Sequence, residues 1–230
     1  MKTIGLLGGM SWESTLTYYK VINETIKERL GGLHSAKCIL YSVDFEEIRQ
    51  CQSSGDWQKS AEILKDAALA LERAGADFVV ICTNTMHKII PDIQDQIGIP
   101  FIHIAEVTAE AIKQQKLNCV ALLGTKYTME QEFYKQVLIK HGIEVVIPEE
   151  KERQLIDDVI FGELCLGQIK SESKRAYLEI MERLQHAGAQ GMILGCTEIG
   201  LLVTQEDIAV PVFDTALIHA QAVALAALTD

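Results

Sequence analysis

The sequence predicts an α/β protein of two pseudo-symmetric domains, each built on a parallel sheet. Three observations predict it: short apolar runs alternate with longer amphipathic stretches, the pattern recurs in the second half, and small polar turns close the runs.

The first cycle begins with TIGLL (3–7), followed by the amphipathic stretch 12–30. CILYSV (38–43) and a long helix ending in LERAGA come next. DFVVIC (77–82), a helix near 86–94, the short run FIHI (101–104) and another helix complete it. The second cycle runs CVALL (119–123), a helix from Met129 with Thr128 and Gln131 as a capping box, EVVIP (144–148), two helices, GMILG (191–195), and a closing helix to Asp230. Strands that alternate with helices imply βαβ units.

The repeat is visible residue by residue. Val120-Ala121-Leu122-Leu123-Gly124 resembles Ile4-Gly5-Leu6-Leu7-Gly8, 116 positions earlier. LQHAGAQGMILGCTE, from Leu184, matches LERAGADFVVICTNT, from Leu71, 113 positions earlier. The expected domains are 1–104 plus 214–230, and 105–213. The tail from Thr215 has no counterpart in the second copy, so it is expected to return to the first domain.

With 48% hydrophobic and 23% charged residues, the 230-residue chain holds enough apolar material for a sizeable core. Its net charge of −11 argues against nucleic acid or an acidic membrane surface as partner. No apolar run reaches the length of a bilayer span, and the start reads as a strand rather than a signal peptide. Six cysteines without a C-x-x-C pair fit free thiols in a reducing cytosol, and a cytoplasmic location is expected. The six histidines show no ligand spacing, so no metal is expected.

In open parallel sheets, ligands bind beyond the carboxyl ends of the strands. Four turns lie there: Gly8-Gly9-Met10-Ser11, Cys82-Thr83-Asn84-Thr85, Gly124-Thr125-Lys126 and Gly195-Cys196-Thr197-Glu198. Each is expected to open a helix whose N–H groups face an anion, with equivalent turns facing each other across an inter-domain cleft. The 113-residue shift aligns Cys196 with Thr83, and Cys82 with Gly195. Because side chains alternate along a strand, Cys82 is expected to point away as a buried structural thiol. Cys196, before a helix, is expected to be an activated thiol. His87 reads as a capping or core residue as readily as a proton carrier; Glu198 and Asp214 read as caps or as groups orienting Cys196 or a substrate ammonium.

GLLGGMSWEST, the N-T-x-H element in TNTMH, LLGT and GCTEIGLL resemble the aspartate/glutamate racemase family over essentially the whole chain. The resemblance implies two α/β domains that racemise amino acids without pyridoxal phosphate or another cofactor. It also implies one acid–base residue per domain. Where that family has its first catalytic cysteine this chain has Thr83, and Cys196 matches the second. This departure resembles an L-aspartate/glutamate-specific branch with a threonine–cysteine pair. Met10, Ser11, Arg49 and Gln52 are the implied substrate-binding residues of the first domain; Arg49 is one of two expected cations for a side-chain carboxylate. The second cation is a lysine in an E-L-x-K-G pattern, and here Leu166 stands in Glu163-Leu164-Cys165-Leu166-Gly167.

Racemisation needs a base on one face of Cα and an acid on the other. A thiol lowered at a helix N-terminus is a competent base, whereas the Thr83 hydroxyl is a donor and a poor base. Backbone N–H groups around Asn84, Thr85, Thr125 and Thr197, with Glu198 nearby, are expected to hold the substrate and its developing charge. The expected partner is a small amino acid, with a homodimer as the open alternative to a monomer. Alternatives are a broad racemase for neutral side chains such as homoserine, a single-cysteine arylmalonate-decarboxylase-like enzyme, and a non-catalytic amino-acid sensor.

Overall fold

The computed structural model describes residues 1–229; Asp230, the last residue of the expected 214–230 segment, lies outside the described residues. Contacts divide the chain into unit 1, Met1–His103 with His219–Asp230, and unit 2, Ile104–Ile218.

Unit 1 holds a parallel sheet ordered β2-β1-β3, from β1 (Ile4–Gly8), β2 (Cys38–Ser42) and β3 (Phe78–Ile81). The run FIHI, expected as a strand, pairs only through Phe101 with Val79. Pro100 limits the ladder: it has no N–H to give, although its carbonyl accepts from Val79 N at 2.8 Å. Helices α1 (Trp12–Leu30), α2 (Phe45–Ser54), α3 (Trp57–Arg73) and the short α4 (Ile90–Ile93) surround the sheet. Leu7, Val79 and Ile81 join Leu64, Ala67, Ala68 and Leu71 of α3 in one core cluster, with Met10, Ile48 and Met86. Ile4 and Leu6, at the alternate positions of β1, and Tyr18, Ile22 and Ile26 of α1 are also buried.

Unit 2 repeats the plan with one more full strand: β5-β4-β6-β7, from β4 (Cys119–Gly124), β5 (Glu144–Val146), β6 (Met192–Gly195) and β7 (Val212–Asp214), all parallel. Its strands show the period of two directly. Ala121, Leu123, Met192 and Leu194 pack with α8 (Glu150–Gly162) and α9 (Ser171–His186). Val120, Leu122 and Ile193 face Ile104, Ala109 and Ile112 of α5 (Ile104–Gln114) and Tyr134 and Leu138 of α7 (Glu132–Lys140). The inner strands β1, β4 and β6, and β3, are thus buried on both faces and read as continuous apolar runs, whereas the edge strand β2 exposes Leu40 and Tyr41.

The unit boundaries fall at 103/104 and 218/219, whereas the sequence placed them at 104/105 and 213/214. Ile104 sits in the unit 2 core, β7 pairs with β6, and Ile218 packs on the same core, so the return to unit 1 begins at His219 inside α10 (Thr215–Leu228). The expected cap at Thr128 is also displaced. Helix α6 (Lys126–Glu130) starts three residues earlier, with Thr125 as N-cap accepting from Thr128 N. Thr125 ends the strand in an extended conformation and so takes the cap; Gln131, also extended, separates α6 from α7.

Among the described residues, no helix is long and apolar enough to cross a membrane.

Candidate active site

In unit 1 the site residues converge on the end of β3. Ser11 caps α1, accepting from Ser14 N at 3.2 Å, and the Ser14 hydroxyl donates to the Cys82 carbonyl at 2.7 Å. The loop carrying Met10 and Ser11 is thereby tied to the turn carrying Thr83. Gly9 makes the loop possible: its φ is +93°, and a Cβ there would collide with the Val43 carbonyl. Gln52, buried in α2, places its amide 3.2 Å from the Met86 sulfur, beside the 3₁₀ turn Thr85–Ile89. Arg49, half-buried, lies three residues before Gln52 on the same helix. Thr83 is partly exposed, whereas Cys82 is wholly buried, its thiol against Val80 O of its own strand and its ionisation pushed far up by burial. Asn84 and Thr85 are buried beside Thr83.

Beneath Thr83 lies a group of rings. His87 Nδ1 is 2.8 Å from the Thr83 carbonyl, and the His103 and His219 rings lie 4.7 and 5.6 Å from the His87 ring. His219 Nε2 is 2.9 Å from Ile102 O, and its Nδ1 is 2.7 Å from the Tyr18 hydroxyl. Carbonyl oxygens only accept, so His87 Nδ1 and His219 Nε2 carry protons, and Tyr18 donates to His219 Nδ1. Burial holds all three imidazoles neutral: His103 is lowered to about 4 and His219 to about 3. His87 falls well below the usual histidine range, lowered further by its two neighbours.

In unit 2, Gly124 and Gly195 are register partners, which sets the Thr125 and Cys196 turns side by side at the carboxyl ends of the two inner strands. The Cys196 thiol donates to Glu198 Oε2 at 2.9 Å, and the Thr197 hydroxyl donates to the same oxygen at 2.7 Å. Glu198 is buried. Thr125 is buried at its cap, its hydroxyl 3.2 Å from that of Thr128. Asp214 caps α10, accepting from Ala216 N and Leu217 N.

Two expectations are corrected here. The Thr83 and Cys196 turns do not open regular helices: they lead into 3₁₀ segments of five and three residues, with no side-chain cap. Such short segments carry little aligned dipole. Accordingly the Cys196 thiol is not activated by a helix end. Burial, and then the Glu198 carboxylate, push its ionisation well above the ordinary thiol value. Glu198 is the partner of the thiol rather than a helix cap. Leu166 is 65% exposed, and Glu163 of the same motif pairs with Lys170 at 3.2 Å.

Sequence reasoning missed His103, His219 and Tyr18, which come from three distant segments. The His87–Thr83 contact had a signal, the spacing of four residues that lets a side chain reach back to a carbonyl. Among the described residues, no cluster of three or more His, Cys, Asp or Glu could hold a metal ion.

The model of the family described as Asp/Glu/Hydantoin racemase matches residues 7–223. A crystal structure from Yersinia pestis, provisionally named as an Asp/Glu racemase, is 55% identical over the full length of both chains, with a TM-score of 0.94. The crystal structure of an aspartate racemase homologue from Pyrococcus horikoshii OT3 is 38% identical, also over both full lengths, with a TM-score of 0.87. The broad specificity amino-acid racemase RacX of Bacillus subtilis is 26% identical over 92% of each chain. With matching motifs, fold and full-length relatives, the chain belongs to the Asp/Glu/hydantoin racemase family and is an amino-acid racemase.

Proposed function

We propose that the chain racemises amino acids without pyridoxal phosphate, with Cys196 and Thr83 acting on opposite faces of one Cα and acidic L-amino acids as preferred substrates. The observation that carries this reading is the 2.9 Å contact between the Cys196 thiol and the Glu198 carboxylate. A thiol held in its protonated form becomes a base only if a neighbour takes its proton, and Glu198 is that neighbour. The thiolate then removes the Cα proton of the L-enantiomer, leaving an enediolate-like anion. Backbone N–H groups around Asn84, Thr85, Thr125 and Thr197 stabilise its charge. The Thr83 hydroxyl delivers a proton to the opposite face and is reprotonated by water, while Glu198 and Cys196 release the abstracted proton to solvent. The equilibrium between enantiomers is unchanged; the initial rates differ, because a hydroxyl is a poor base. The direct test is loss of the α-proton signal of L-aspartate or L-glutamate in D₂O with no added cofactor. Absence of exchange with every L-amino acid would leave a non-catalytic binder.

Arg49 supports the acidic substrate, since a guanidinium meets a carboxylate in two parallel hydrogen bonds. Arg49→Ala is expected to raise KM for aspartate or glutamate at least about tenfold, roughly 1.4 kcal/mol, and to spare homoserine. A second reading, a broad racemase for neutral side chains, is favoured by the exposed apolar Leu166 in place of a cation and by the likeness to RacX. It prevails if wild-type protein prefers homoserine or methionine and Arg49→Ala changes nothing.

A further inference from the structure

The histidine group below Thr83 is absorbed neither by substrate binding nor by the Cys196–Glu198 pair. It is built from four segments: Tyr18 of α1, His87 of the turn after β3, His103 after the Phe101 bridge, and His219 of α10. Tyr18, His87 and His219 are at most 1% exposed, and their hydrogen bonds run in one direction, Tyr18 to His219 to Ile102 O. Burying that many polar rings is costly unless each is held by partners. An apolar cluster of the same size would hold the fold more simply. What the imidazole adds is a directed N–H on the carbonyl of the residue proposed to donate the proton.

We propose that His87, braced by the rings of His103 and His219, is the positioning residue of Thr83. The inference rests on the racemase reading given above. By holding the Thr83 carbonyl, the His87 Nδ1–H fixes the plane of the peptide between Thr83 and Asn84. Threonine is β-branched, so its hydroxyl has few allowed directions once its backbone is fixed. The imidazole therefore sets where the Thr83 hydroxyl points without touching the substrate. The return of α10 to unit 1 acquires a purpose beyond packing, because it delivers His219 to the brace.

The test compares two rates in D₂O for the full-length protein: α-proton exchange of the L-substrate, which needs only Cys196, and formation of the D-enantiomer, which also needs Thr83. Two polar replacements of similar size separate donor position from bulk. Asparagine carries its amide N–H where imidazole has Nδ1, and glutamine carries it where imidazole has Nε2. His87→Asn is expected to keep the ratio of racemisation to L-exchange within about threefold of wild type. His87→Gln is expected to lower that ratio at least about tenfold with L-exchange per folded protein little changed, since small misplacements of a reacting group are costly. Melting temperatures of both variants report any loss of fold. An unchanged ratio in His87→Gln, an equal fall in both variants, or a proportional fall of both rates would each overturn the proposal. Absence of both rates in wild-type protein would instead overturn the racemase reading on which it rests.

Discussion

The turn after β3 and the turn after β6 share one backbone plan but hold different polar groups in different hydrogen bonds. A shift of 113 residues aligns Thr83 with Cys196, Thr85 with Glu198 and His87 with Gly200. In unit 2 the group at this position is a thiol with a buried carboxylate two residues on as its hydrogen-bond acceptor. In unit 1 it is a hydroxyl whose own carbonyl is held by an imidazole four residues on. Where His87 stands in unit 1, unit 2 has Gly200, and a Cβ there would lie 2.5 Å from Asp214 Oδ2. A side chain at that position would displace the carboxylate that caps α10. The duplicated frame agrees at a further point: both halves use a hydroxyl residue at the third position of the neighbouring helix, Ser14 and Thr128, against the end of the third strand. The comparison teaches that one strand-end geometry holds a thiol or a hydroxyl in quite different surroundings according to what lies two to four residues downstream.

The largest expected effect comes from deleting the proposed base. Cys196→Ala is predicted to lower α-proton exchange of the L-enantiomer by about 10³-fold or more, within the range for loss of a positioned acid–base group. Thr83→Ala is predicted to spare that exchange and abolish inversion. Thr83→Cys places a usable base on the second face and raises the rate from D to L. Equal exchange of both enantiomers by wild-type protein would break the asymmetry between the two turns.

Glu198→Gln sharpens the role of the carboxylate because it pulls two readouts apart. Removing the negative charge lets the thiol ionise more readily, so alkylation of Cys196 at pH 8 becomes faster. Turnover nevertheless falls, by at least about tenfold, because the proton has lost its acceptor. Slower alkylation together with full activity would show that Glu198 is only a structural partner.

Acid stability probes the other turn. The folded state refuses protons that the three histidines accept when unfolded, near pH 6.5. The unfolded chain therefore binds more protons as pH falls. Stability is lost progressively below about 6.5, down through the lowered folded values, at roughly 1.4 kcal/mol per pH unit per histidine. The groups facing one another are His87, His103, His219 and the Tyr18 hydroxyl. Thermal melts from pH 7 to 5 are expected to steepen accordingly, and His103→Gln to remove about one proton's share of the slope. A flat profile would mean the cluster opens to solvent.

The smallest effect belongs to Cys82. Its thiol is buried against its own strand, so Cys82→Ala is expected to cost about 1 kcal/mol of stability and leave exchange nearly intact. An inactive Cys82→Ala beside an active Cys196→Ala would shift the register of the whole site by one residue.

Much of this was legible from the residues alone. Continuous apolar runs such as Val120–Leu123 identify strands buried on both faces, and the repeated AGA-strand-turn unit gives the doubled architecture. The same shift places Thr83 opposite Cys196 in the alignment and Cys82 opposite a glycine, because strand alternation is local and written in the order of residues. Local chemistry failed where a neighbour intervened. Thr128 reads as a helix cap, but Thr125, extended at its strand's end, takes that place. Tertiary structure alone decided the surroundings of the thiol. Whether Cys196 is an acidified thiol or a protonated one depends on burial and on the Glu198 rotamer, neither of which has a sequence period. The histidine brace likewise joins residues as far apart as Tyr18 and His219, and such contacts exist only once the chain has closed on itself.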